Sequence, residues 1–165
     1  MDDDVSIRIA TVEDVLRLVQ DKNDRHHLRE HLDHDRGVLL IALLGEALVG
    51  HLFLRLGEPE EEELRNGLPG VALIQHLKVL EAYRRRGYAT RLLDEAARQL
   101  RARGRRTMAL GVDPKNEGAI ELYRKVGFQA WGDEPIQVDR VDVLDDGTTH
   151  RSREDCLVFT KEVFP

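Results

Sequence analysis

The chain has one cysteine, Cys156, in 165 residues. A lone thiol excludes an internal disulfide and fits a reducing compartment. A cytoplasmic protein is therefore expected. No apolar run approaches the ~20 residues that span a bilayer, so no membrane partner is expected. The first residues, Met1-Asp2-Asp3-Asp4, are acidic and carry neither the basic nor the apolar region of a signal peptide. Positive charge is in the minority: 25 Lys and Arg face 31 Asp and Glu, a formal net charge of -6. Nucleic acid is thus not expected as a partner. The sequence also lacks internal repeats and linkers.

What remains is 41% hydrophobic and 34% charged, the balance of a soluble globular protein. Its length suits a single domain over residues 1–165 with a proper core. Residues 5–9 read as a first strand. Thr11 can cap a helix, with Asp14 three positions later. Val12, Val15, Leu16 and Val19 then form an apolar helical face. Residues 21–36 are polar and His-rich, and read as a short helix with loops. Residues 38–44 and 47–56 read as strands around a Gly45-Glu46 turn. A long acidic connection covers residues 58–70.

Residues 71–79 read as a strand buried on both sides. Residues 90–103 form an amphipathic helix with Leu92, Leu93, Ala96, Ala97 and Leu100 on its inner face and Gly104 as its stop. The basic run 101–106 closes that helix and reads as structural. A strand at 107–112 ends at Asp113-Pro114, and a helix at 116–125 closes at Gly127. Phe128 opens a strand that is irregular near Gly132 and Pro135 and resumes to Leu144. After an Asp145-Asp146-Gly147 turn, the last strand is expected at 155–163. Strands interleaved with helices give an α/β domain with a mixed sheet.

Between the 71–79 strand and the next helix stands Arg84-Arg85-Arg86-Gly87-Tyr88-Ala89. A glycine turn at a helix start aims several backbone N–H groups at one point and adds the positive end of the helix dipole. Gly87 allows close approach of an anion, Ala89 stays small, and the arginines supply charge. By chemistry alone this is a phosphate cradle. The pattern Arg-x-x-Gly-x-Ala resembles the acyl-CoA loop of the GNAT superfamily of N-acetyltransferases. The flanks Leu77-Lys78-Val79-Leu80-Glu81-Ala82-Tyr83 and residues 116–128 are similar to that superfamily in order and spacing.

The resemblance implies a seven-stranded, mixed, mostly antiparallel sheet flanked by helices and splayed at its two central strands, with pantetheine in the gap. It implies acetyl-CoA as cosubstrate. It places the cofactor against Arg84, Arg85, Arg86, Gly87, Tyr88, Ala89 and Thr90, and against backbone groups of Leu77 and Val79. Asn116 matches a residue near pantetheine, and Tyr123 one whose hydroxyl points at the CoA sulfur. Read without the family, Asn116 is a helix cap and Tyr123 a core aromatic. The resemblance also allows a homodimer.

Transfer to an amine expels a thiolate. A thiol has a pKa near ~8.5 and a tyrosine near ~10, so neutral Tyr123 can protonate the departing sulfur. The attacking amine must be neutral, so a base or a water chain to one is expected. Gln75, His76 and Glu81 lie on or after the central strand, and His76 is a candidate by type. Gln75, Leu77 and Val79 alternate onto one face of that strand unless a bulge breaks the parity. Cys156 is expected away from both motifs, which disfavours a covalent intermediate.

His26, His27, His31 and His34 invite a metal reading with Asp33 and Asp35. A His-Glu-x-x-His arrangement is absent, and a solvated polar helix explains the run; no metal is expected. The resemblance suggests instead that this segment walls the acceptor pocket. The acceptor is expected to be a small cationic amine, because Glu60–Glu63 and Asp133, Glu134, Asp139, Asp142, Asp145 and Asp146 would attract a cation. The competing readings are an acyl-CoA-binding module without turnover, and transfer to a protein or peptide amine.

Overall fold

The computed structural model describes residues 5–164; Met1–Asp4, the acidic start, and Pro165 lie outside them. The first strand, β1 (Val5–Ile9), pairs antiparallel with β2 (Gly37–Leu44), which pairs with β3 (Ala47–Arg55). Strand β2 is nearly all apolar because both its faces are covered. Leu40 and Ala42 pack under helix α4 (Tyr88–Ala102), while Leu39, Ile41 and Leu43 pack under α1 (Val12–Leu18) and α2 (Lys22–Asp33). Period-two alternation thus divides one strand between two cores. Leu92, Leu93, Ala96, Ala97 and Leu100 are the buried stripe of α4, as their spacing requires.

Helix α1 begins with a reciprocal capping box. Thr11 accepts the amide of Asp14, and Asp14 accepts the amide of Thr11. Arg8 holds the Asp14 carboxylate through two bonds of 2.8 and 2.9 Å. These bonds, with the Thr11 amide, keep Asp14 well below the usual carboxylate range.

The centre of the sheet parts. Strand β4 (Ala72–Val79) runs antiparallel to β3 over most of its length, yet pairs in parallel with β5 (Thr107–Val112) only at Ala72–Met108, Leu73–Ala109 and Ile74–Leu110. Beyond Ile74 the two strands diverge. The β3–β4 register slips by one residue between His51–Lys78 and Phe53–Gln75. His76 takes up that slip with φ of 53°, a left-handed bulge residue. The bulge ends the simple alternation of Gln75, Leu77 and Val79.

Four expected elements differ. Residues 21–36 hold a full twelve-residue helix, α2, of which only Leu28 and His31 are buried, so it has no apolar periodicity to announce it. The acidic connection contains a short helix, α3 (Glu62–Gly67), docked by Leu64. Helix α4 starts at Tyr88, two residues early. The last strand, β8, spans Thr149–Glu162 rather than starting at 155. Its first half pairs only with β7 (Ile136–Val143), in a largely exposed hairpin held by polar cross-strand pairs such as Arg153–Asp139 and Arg140–Glu154. Hydrophobic patterning does not mark such a strand.

The second half of β8 lies between β5 and the two-residue β6 (Gln129–Ala130). Strands β6 and β7 are pieces of one strand interrupted around Gly132, so eight strands stand where seven were expected. Helix α5 (Glu117–Lys125) joins β5 to β6. The basic run at 101–106 is structural: Arg105 donates to the carbonyls of Leu56, Gly70 and Val71, and Arg101 to that of Val163. Among the described residues no helix is long and apolar enough to cross a membrane.

Candidate active site

Strand β4 ends in a one-turn 3-10 helix, Glu81–Tyr83, and the chain then crosses residues 84–87 into α4. Arg85 and Gly87 both take left-handed conformations, with φ of 67° and 82°. Alternation of this kind turns successive N–H groups into one concavity. Gly87 is the N-cap of α4, and no side chain bonds the first-turn amides. No acidic residue stands in that turn either. By contrast, Thr11, Asp21 and Asn116 cap α1, α2 and α5 with side-chain oxygens. Helix α4 thus presents bare amides and an uncompensated dipole end, an anion site by construction.

The expected cofactor residues fall around this turn in distinct ways. Arg84, Arg85 and Arg86 are exposed. Arg84 also donates from Nε to the carbonyl of Val79 at 2.9 Å, tying the loop to the strand end. Arg86 sits over the Tyr83 ring, 5.8 Å from its centroid. Tyr88 is 2% exposed with its ring in the core, so only its backbone faces the turn. Ala89 and Thr90 are half-buried in the first turn, while Leu77 and Val79 are half-buried along the diverging part of β4.

The divergence of β4 and β5 opens into a cleft of about 810 Å³. Tyr123 of α5 lines it, half-buried, with its ring edge against Phe128 at 5.9 Å. Burial pushes its hydroxyl above the ordinary tyrosine pKa, so it is a neutral proton donor. Asn116 is exposed, and its Oδ1 accepts the amide of Ala119 at 3.1 Å, as a cap does. Cys156 also lines the cleft, contrary to the expected separation from the motifs. Its thiol is pushed up to about 11 by burial, which leaves it protonated and a poor nucleophile.

The opposite wall carries a histidine cluster. His27 and His31 project inward from α2, so that helix is not merely a solvated one. His31 Nε2 lies 3.1 Å from His76 Nε2, and Arg36 Nη1 donates to His31 Nδ1 at 3.0 Å. His27 stacks on His76 at 5.3 Å between centroids and donates to the Val141 carbonyl at 2.7 Å. Burial, reinforced by Arg36, lowers His31 to about 4; burial, reinforced by the neighbouring His31, lowers His76 to about 3. Burial thus holds both rings neutral near pH 7, which makes His76 a weak base.

Beneath the bulge, His51 is 1% exposed and donates from Nδ1 to the carbonyl of His76 at 2.7 Å. Its Nε2 lies 3.9 Å from Asp24 Oδ2 and has no hydrogen-bond partner among the described residues. Lys78 Nζ reaches the same carboxylate at 2.7 Å. His51 and Lys78 together hold Asp24 well below the usual carboxylate range. Sequence reasoning missed His51, Asp24, Lys78 and Arg36. The one available signal was the i,i+4 pair His27 and His31 opposite a strand histidine. Among the described residues no three acidic, cysteine or histidine side chains converge as a metal set.

Cradle, parted strands and tyrosine-lined cleft have relatives. Residues 8–128 match the acetyltransferase (GNAT) family, and the chain belongs to that family. An uncharacterized N-acetyltransferase of Methanocaldococcus jannaschii is 41% identical over 59 residues, 36% of this chain and 26% of that one. The matches span about a quarter of the length of the curated relatives. A GNAT family acetyltransferase from Elizabethkingia anophelis, solved with acetyl-CoA bound, superposes with a TM-score of 0.63 at 19% identity, covering 97% of this chain and 99% of that one. Ribosomal-protein-alanine N-acetyltransferase from Brucella melitensis gives 0.65 at 22% identity, covering 95% and 99%. At such identities the two structures establish the likeness of fold.

Proposed function

We propose that this protein is an acetyl-CoA-dependent N-acetyltransferase, one domain over residues 1–165, that passes acetyl directly to the primary amine of a small cationic molecule. The observation that carries this reading is the parting of β4 from β5 beside the uncapped start of α4. The turn amides and the arginines at 84–86 suit a pyrophosphate, and the free length of β4 at Leu77 and Val79 suits an amide-bearing arm. Asn116 contributes through its neighbourhood at the start of α5. The acetyl-CoA in the Elizabethkingia relative supports this choice of cosubstrate.

In this reading the amine nitrogen attacks the thioester carbon, the C–S bond breaks, and Tyr123 donates its hydroxyl proton to the leaving sulfur. The amine proton leaves through water in the cleft and returns by water to the Tyr123 oxygen, since neither His31 nor His76 retains it near pH 7. Nine carboxylates and four arginines line that cleft, including Glu60, Glu61, Asp139 and Asp142 from the segments expected to attract a cation. The half-buried lone thiol supports a reducing, cytoplasmic setting.

An amine panel with acetyl-CoA, read by release of free thiol, tests the proposal. Turnover is expected with cationic amines first. CoA binding without turnover on any amine, peptides included, would leave an acyl-CoA-binding module. A neutral or anionic best acceptor would overturn the acceptor class and keep the transferase.

A further inference from the structure

Arginine has no hydrogen-bond-accepting atom and stays protonated. The 3.0 Å contact from Arg36 Nη1 to His31 Nδ1 therefore requires a bare Nδ1 on His31. Neutral His31 then carries its hydrogen on Nε2. That atom lies 3.1 Å from His76 Nε2, which must accept. Neutral His76 in turn carries its hydrogen on Nδ1. The reverse order would set two N–H groups against each other at Arg36. A single arginine thus fixes the tautomers of two imidazoles in series.

The rest of the cluster holds both rings in place and discourages a second proton. His27 stacks on His76, and His31 stacks on Phe53 at 4.7 Å between centroids. His51 grips the backbone carbonyl of His76 and so fixes the bulge. Arg36 and Arg55, with the neighbouring His27 and His51, act in the same direction as burial, and together they outweigh Glu30 and Asp24 to keep both rings neutral. Nδ1 of His76 has no hydrogen-bond partner among the described residues, while the residue lines the cleft. Beside it Gln75 lines the same cleft.

We infer that His76 presents a fixed Nδ1–H donor to the acceptor pocket, and that it selects amines carrying a hydrogen-bond-accepting oxygen close to the reacting nitrogen. Arg36 and His31 are positioning residues for that donor. The choice of acceptor rests on the transferase function proposed above, whereas the tautomer belongs to the folded chain alone. An amine with a neighbouring carbonyl or hydroxyl oxygen satisfies the donor, and its plain alkyl counterpart leaves it unpaired when water is displaced.

Long-range 1H–15N correlation spectra of the uniformly labelled protein test the tautomers without turnover. The expected result is His31 protonated at Nε2 and His76 at Nδ1, both neutral from pH 8 to pH 5. Arg36→Lys keeps a donor to His31 and retains the pattern; Arg36→Met removes it and mixes the tautomers. An Nε2–H tautomer at His76, or a charged ring at pH 7, overturns the inference even if the enzyme turns over. The second measurement compares kcat/KM for pairs of amines matched with and without the oxygen. Wild type should favour the oxygen-bearing partner by about fivefold, the worth of one neutral hydrogen bond. His76→Gly accepts the left-handed backbone, removes the side-chain donor altogether and should abolish that preference. An unchanged preference in this variant, or none in wild type, overturns the role in selection. If no amine is turned over at all, the proposed function fails while the spectra still decide the tautomers.

Discussion

The two ends of the proposed site are built on different principles. The cradle at 84–90 is continuous in sequence, offers mainly backbone groups, and depends on two left-handed residues and a helix without a cap. The histidine cluster draws Asp24, His27, His31 and Arg36 from one stretch and His51, His76 and Lys78 from two strands, and is built of side chains that hold one another. An anion shared by all substrates of a family can be met by amides that any sequence supplies. An acceptor peculiar to one protein needs side chains, and those are assembled only when distant segments fold together.

Substitutions at each end should separate these principles, starting where chemistry is lost. Tyr123→Phe keeps the ring against Phe128 and removes the hydroxyl. Turnover should fall about 10²-fold, with CoA affinity little changed. Steady-state kinetics beside calorimetry check this, and wild-type turnover would return Tyr123 to a packing role. At the cradle, Gly87→Glu sets a carboxylate and a strained left-handed backbone where pyrophosphate should lie. CoA affinity should weaken by at least tenfold, about 1.4 kcal/mol, by calorimetry on a folded variant. Unchanged affinity would remove the cradle from cofactor binding.

Acid should divide the two ends more gently. Asp24 is held below its unfolded value of about 3.9 by His51 and Lys78. Its contribution is fully present above that value and is lost as pH falls toward the folded pKa. The cradle turn contains no carboxylate to titrate. Between pH 6 and pH 3, amide protection factors, taken relative to the intrinsic exchange rate at each pH, should fall more in α2 than in α4. An equal loss of protection would mean that Asp24 does not anchor the wall.

Salt should produce the smallest change. The Debye length shrinks from ~10 Å at 0.1 M to ~3 Å at 1 M, so steering by the acidic cleft should weaken. We expect kcat/KM for the best cationic amine to fall a few-fold over that range while kcat changes less. A salt-independent kcat/KM would assign those carboxylates to solubility.

The difference between the ends also explains what was legible in the sequence. The α4 stripe, the β2–β3 hairpin and the Arg-x-x-Gly-x-Ala turn are local patterns with a fixed period or spacing, and each appears where it was read. Helix α2 and the β7–β8 hairpin were blurred because their stability lies in polar contacts across the fold. Asn23 bonds Val143 and Asp142, 120 and 119 positions away. The position of Cys156 was misjudged because β8 carries it across the gap from Tyr123. The histidine cluster could not be read as one object, since the bulge at His76 turns a strand residue toward α2. Alternation alone places the ring on a face but does not give its partner.

The parting of the central strands has one more consequence. A sheet interrupted in its middle has two inner edges, each with N–H and C=O groups that a continuous sheet would have paired. From Gln75 to Val79 one such edge lies half-buried in the middle of the sheet rather than at its rim. A slender chain carrying its own amides can lie along it and act as the missing strand. The parting of β4 from β5 therefore leaves backbone groups at the centre of the sheet that an extended amide lying along β4 would pair.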